Sequence, residues 1–120
     1  MFKKAFFSLI AMIGVTTAVV AYNYDTNLPL PGKSIAGEKL QQESLFTAYM
    51  FAHRIATPDC KNFSIVDTNV SKEKVDNKWQ EVWTIKACSR TATVPINFEI
   101  KDDGNMYAID PMGVRVINNQ

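Results

Sequence analysis

Hydrophobic and polar positions give the chain four successive rhythms. From Ala5 to Ala21 the residues are apolar almost without a break, diluted only by Ser8, Thr16 and Thr17 among small and large apolar neighbours. Residues 22–33 have no period; Pro29 and Pro31 each restrict the residue before them to extended backbone, so this stretch is expected to be a stiff lead-in. From Ser34 to Ala56 the spacing becomes helical. Leu45, Tyr49, Ala52 and Ala56 follow steps of four, three and four along one face, with Phe46, Met50 and His53 as a neighbouring stripe. Ser34 is the expected N-cap, Glu38 suits the positive end of the helix dipole, and Pro58 ends the helix. The polar residues gather in "GEKLQQES", whereas "LFTAYMFAHRIA" is apolar nearly all round, so the second half is expected to be the buried half.

Beyond Pro58 the period is two. "FSIVDTNV" places Phe63 and Ile65 on one side and Val66 on the other. "KWQEVWTIKAC" aligns Trp79, Glu81, Trp83, Ile85 and Ala87, and "ATVPINFEI" aligns Ala92, Val94, Ile96, Phe98 and Ile100. Asp103-Gly104 is a strong hairpin signal. A turn there sets Ile100 opposite Tyr107 and Phe98 opposite Ile109, all on one face. Pro95 cannot donate to a ladder, so its nitrogen must point away from a partner strand or sit at a bulge. Val114 and Val116 make a further edge strand if 111–120 is ordered. The expected architecture is α+β: one N-terminal helix on a four-stranded antiparallel meander, five-stranded with that edge.

The polar segment "SKEKVDN" suits the loop of a first hairpin. Centring it on Lys74 pairs residues whose numbers sum to 148, which brings Phe63 opposite Ile85 and Ile65 opposite Trp83. The same register sets Cys60 opposite Cys88, the only two cysteines, and a disulfide is expected. The rivals are a metal site completed by His53 and Asp59, which shows no standard ligand spacing, and a Cys–His nucleophile pair, which leaves the second cysteine unexplained.

Compartment follows from the first residues. Lys3 and Lys4, the apolar run and Val19-Val20-Ala21 have the layout of a secretory signal peptide cut after Ala21. An uncleaved anchor is the alternative, since Ala5 to Ala21 is 17 residues long, the lower limit of a membrane span. Both readings place the rest outside the cytoplasm, in the periplasm or secreted. Residues 34–120 then form one domain behind the lead-in. Loss of Lys3 and Lys4 leaves 11 basic residues against 12 acidic ones, a net charge of −1 with no charge block. Nothing in that balance points to nucleic acid as a partner.

Catalytic patterns are absent from the sequence. It holds no glycine-rich phosphate loop, no G-x-S-x-G and no H-E-x-x-H, and no cofactor is expected. His53 is the single histidine and is expected to hydrogen-bond locally; Asp102 and Asp103 are expected to be turn residues. Trp79 and Glu81, with Arg90 and the neighbouring Lys78 and Lys86, admit two accounts. In one they mark the watery end of the hairpin face, with only Trp83 and Ile85 in the core. In the other, Trp79, Glu81 and Arg90 form a rim that grips a ligand or a partner.

The order of one helix followed by an antiparallel meander resembles the cystatin-like and NTF2-like architectures. "WQEVW" running on to Cys88, with "VPINF", is also similar to small exported bacterial proteins of unknown function. That resemblance implies an extracytoplasmic domain and carries no activity with it. Three functions follow as expectations: a non-catalytic envelope protein that binds another protein, an inhibitor of a secreted hydrolase, or a small-ligand domain with a pocket between helix and sheet. The first takes precedence, with an envelope or secreted protein as its partner, and the membrane enters only through an uncleaved N-terminal segment.

Overall fold

The structure, a computed structural model, describes residues 22–117. The expected signal peptide and the last three residues lie outside them. The elements run β1 (Asn23–Tyr24), α1 (Glu38–Phe51) continued by a π-turn (Ala52–Ala56), β2 (Asn62–Val75), β3 (Lys78–Ala87), β4 (Arg90–Glu99), β5 (Met106–Ile109), a 3-10 turn (Pro111–Gly113) and β6 (Arg115–Ile117). The fold is α+β with one helix and a mostly antiparallel sheet. Its order is β1-β2-β3-β4-β5, and β6 also pairs with β4. The expected meander is therefore β2 to β5. The six strands exceed the expected four or five because β1 adds a parallel strand before the helix.

Alternation decides the core. Trp79, Glu81, Trp83, Ile85 and Ala87 of β3 are buried, as are Ala92, Val94, Ile96 and Phe98 of β4, while their neighbours reach the other face. The buried side of α1 (Leu40, Gln41, Ser44, Leu45, Ala48 and Tyr49) covers this row. β3 and β4 pair without irregularity from Lys78–Glu99 to Ala87–Arg90, so Trp79 stands opposite Phe98 and Trp83 opposite Val94.

Three of the sequence expectations need correction. The first hairpin turns at Asp76-Asn77, not at Lys74; both residues adopt positive φ (53° and 63°), which Asp and Asn tolerate better than most residues. β2 also carries three register shifts against β3. Ile65 therefore faces Ile85, Phe63 faces Ala87 and Thr68 faces Trp83, so the uniform sum of 148 fails. The second hairpin is shifted by two residues, setting Phe98 opposite Tyr107 and Ile96 opposite Ile109. A shift of two preserves the face, but Ile100 joins a longer loop, donating its N–H to Asn77 O. Finally, α1 starts at Glu38 behind Gly37, because Ser34 is used elsewhere. Its Oγ accepts from Ala36 N, and its own N–H donates to Thr68 Oγ1.

The lead-in is tied down along its length. Tyr24 pairs in parallel with Phe63. Leu30 N donates to Gln41 Oε1, Lys33 N to Thr68 O, and Ile35 N to Glu81 Oε2, while Pro31 O accepts from the Thr68 hydroxyl. Gly32 lies so close to β2 that a Cβ on it would sit 2.4 Å from both Thr68 N and Thr68 O. These residues form a strap across the sheet edge, not a spacer.

Pro95 is resolved by its edge. Its carbonyl accepts from Asp110 N on the outer side. A residue's nitrogen and carbonyl point to the same side of a strand, so the missing donor also faces outward. There β5 has ended and the Pro111–Gly113 turn passes before β6 resumes pairing at Thr93.

Candidate functional site

Cys60 and Cys88 form a disulfide, and neither sulfur is then free as a metal ligand or nucleophile. Cys60 precedes β2 and Cys88 opens the two-residue turn between β3 and β4 with φ 58°. The bond thus joins a pre-strand residue to a turn residue, not an in-register pair. Arg90 binds Asp59 beside it. The Arg90 guanidinium, through that hydrogen bond, holds the Asp59 carboxyl below its ordinary value. The pair is exposed and clips the same two turns as the disulfide.

Trp79, Glu81 and Arg90 do not form a rim. Glu81 is fully buried and Trp79 nearly so, while Arg90 sits at the opposite end of the β3–β4 ladder. The Trp79 indole N–H donates to Glu81 Oε2 and the Trp83 indole N–H to Glu81 Oε1, each at 2.8 Å; Ile35 N also donates to Oε2 at 3.0 Å. The carboxylate gathers the strand face and the strap before the helix. The signal was present in the sequence as W-x-E-x-W, a lone acceptor with a donor-only indole two residues away on each side of one face.

His53 is half-buried. Its Nε2–H donates to Pro58 O at 3.2 Å, leaving Nδ1 to accept from the Tyr24 hydroxyl at 3.4 Å. The Tyr22 ring packs on it at 4.5 Å. No group of three His, Cys, Asp or Glu residues among those described is placed to hold a metal. The space between helix and sheet is filled by Leu45, Ala48, Tyr49 and Trp83, all essentially inaccessible. Tyr49 is fixed there by donating to Asp25 O at 2.6 Å and accepting from Ile65 N at 3.0 Å; burial pushes its hydroxyl up to about 12.

Open clefts among the described residues lie around this core. The first, of about 450 Å³, lies at the free ends of the hairpins between Lys72, Lys78, Glu99 and Met106. The second, of about 380 Å³, runs beside Cys88, Asn62 and Lys86. The third, of about 260 Å³, is cut into the helix surface by Met50, Phe51, Arg54 and Ile55.

That third cleft belongs to the face of α1 turned away from the sheet. Phe46 is 50% exposed, Met50 48% and Ile55 48%. The expectation that the whole second half of the helix is buried therefore fails. A single sheet covers only one side; on the other, the Phe46 ring meets the edge of Tyr24 at 6.3 Å and is otherwise open, and Met50 and Ile55 are half exposed. No helix among the described residues is long and apolar enough to cross a membrane.

No family, curated protein or solved structure matches the chain.

Proposed function

We propose that the chain is an exported, non-catalytic envelope domain whose outward α1 face is a protein-contact surface. The observation that carries this reading is the apolar surface of Phe46, Met50 and Ile55 on a helix whose other side is already packed. Exposed apolar clusters of this kind mark contact surfaces more often than isolated exposed residues do. Export is supported by the signal-like first 21 residues and by the disulfide. The filled helix–sheet interface weighs against the small-ligand pocket. The test is photocrosslinking in the intact envelope, with Met50 replaced by a photoreactive phenylalanine analogue. Protein adducts at this position are expected; adducts to lipid alone, or none, would remove the reading.

The hydrolase-inhibitor reading keeps one observation of its own. Residues 71–78 are exposed without a break around the Asp76-Asn77 turn, forming a protruding hairpin tip of the sort that can enter an enzyme cleft. Inhibition assays against lysozymes and cysteine proteases test it, and inactivity against both would set it aside. The helix-before-meander order is consistent with the cystatin-like resemblance.

A further inference from the structure

We infer that the partner of the outward α1 face is a second copy of this chain, packed antiparallel about a two-fold axis. This rests on the reading of that face as a protein-contact surface. Lys39, Glu43, Phe46, Met50 and Arg54 follow steps of four, three, four and four, and all five are exposed. They form one line along the helix, opposite the buried Leu45, Ala48 and Ala52.

The line is self-complementary in shape. Met50–Arg54 and Phe51–Ile55 are adjacent rows four residues apart, and the cleft of about 260 Å³ is the groove between them. Phe46–Met50 is a ridge of the same kind. The groove opens where α1 runs into the π-turn, so it is a local depression at the helix end into which a side chain such as Phe46 can settle. Antiparallel alignment brings the Phe46 ring of each copy to the groove of the other, so one contact is made twice, as two-fold symmetry requires.

It is also self-complementary in charge. Glu43 lies toward the N-terminal end of the apolar centre and Arg54 at its C-terminal end. Neither has an ionic partner among the described residues. Placing Phe46 over the groove carries Glu43 of each copy beside Arg54 of the other, whereas a parallel arrangement stacks like on like. The same apolar centre offers no such match to a lipid surface, where Glu43 has no counterpart.

The contact is small, so a weak dimer is expected. Sedimentation equilibrium of the protein recovered from its own envelope, from about 1 to 500 μM, should show average mass rising toward twice the monomer. Phe46→Ser should weaken association by about tenfold or more. Glu43→Arg and Arg54→Glu should each weaken it by about fivefold, and the double variant should recover most of the loss. All three positions are exposed, and unchanged melting curves will show that the fold is intact. A monomer at every concentration would overturn the inference, as would a dimer indifferent to Phe46→Ser or a double variant no better than the singles. The crosslinking experiment separates the two levels. Adducts of twice the chain mass support self-association. Adducts only to a different protein overturn it and leave the protein-contact reading standing. Absence of any protein adduct overturns both.

Discussion

Glu81 and Trp83 lie two residues apart on β3, and the Trp83 indole N–H donates to Glu81 Oε1 at 2.8 Å inside the core. The second carboxylate oxygen takes Trp79 and the Ile35 backbone. A buried acceptor with every donor matched fixes the strand face and the strap together, and removing it strands three donors at once. Glu81→Gln, which sets an amide N–H against a donor, is expected to cost about 2–3 kcal/mol, and Glu81→Leu about 3–5 kcal/mol. Urea unfolding measures both; a leucine variant as stable as the parent would show that the network is dispensable.

The disulfide spans 28 residues of sequence. On the chain-entropy account, closing such a loop stabilises by about 3–4 kcal/mol, a large share for a domain of this size. The Cys60→Ala, Cys88→Ala double variant should lose that amount in urea.

Tyr49 ties stability to alkaline pH. Its hydroxyl ionises near 10 in the unfolded chain but at about 12 in the fold. The stabilisation it gives is therefore complete below pH 10 and falls away as pH rises toward 12, by up to about 2–3 kcal/mol. Tyr49→Phe loses the hydrogen bonds to Asp25 and Ile65 at neutral pH. Its deficit against the parent should shrink between pH 10 and 12. Stability measured across that window decides it, and a constant deficit would contradict the assignment.

Gly32 has φ 100° and no room for a Cβ against Thr68. Gly32→Ala is expected to lift the strap from β2 and cost about 2 kcal/mol or more. Faster hydrogen exchange at Lys33 N and Ser34 N, which bond to Thr68, would localise the damage to the strap.

Much of this architecture was legible because side-chain alternation survives errors of register. The strand faces of β3 and β4 are those the period-two pattern marks, and the hairpin after β4 kept its face because its register moved by two. The cysteine pairing also came through, although the register that suggested it did not. The bulges in β2 were not legible: Val66 and Ser71, the residues skipped by the pairing, are ordinary strand residues, and nothing local announces an extra one. The Asp76-Asn77 turn was hidden in a seven-residue, mostly polar segment with no glycine to mark it. Glu81 was visible but misplaced, because a carboxylate on an apolar face is read as meeting water unless its two indole neighbours are counted as donors. The helix posed the opposite difficulty. A segment apolar all round reads as buried all round, yet the sequence does not say how many layers exist to bury it.

The central claim is that the outward face of α1 is covered by protein in the envelope. Methionine oxidation by dilute peroxide tests it most directly, because Met50 on that face is 48% exposed and Met112, far along the chain in the turn before β6, is 80% exposed. In dilute purified protein both should oxidise readily. In the intact envelope Met50 should be protected while Met112 stays reactive. Equal oxidation of the two in the envelope would contradict the account.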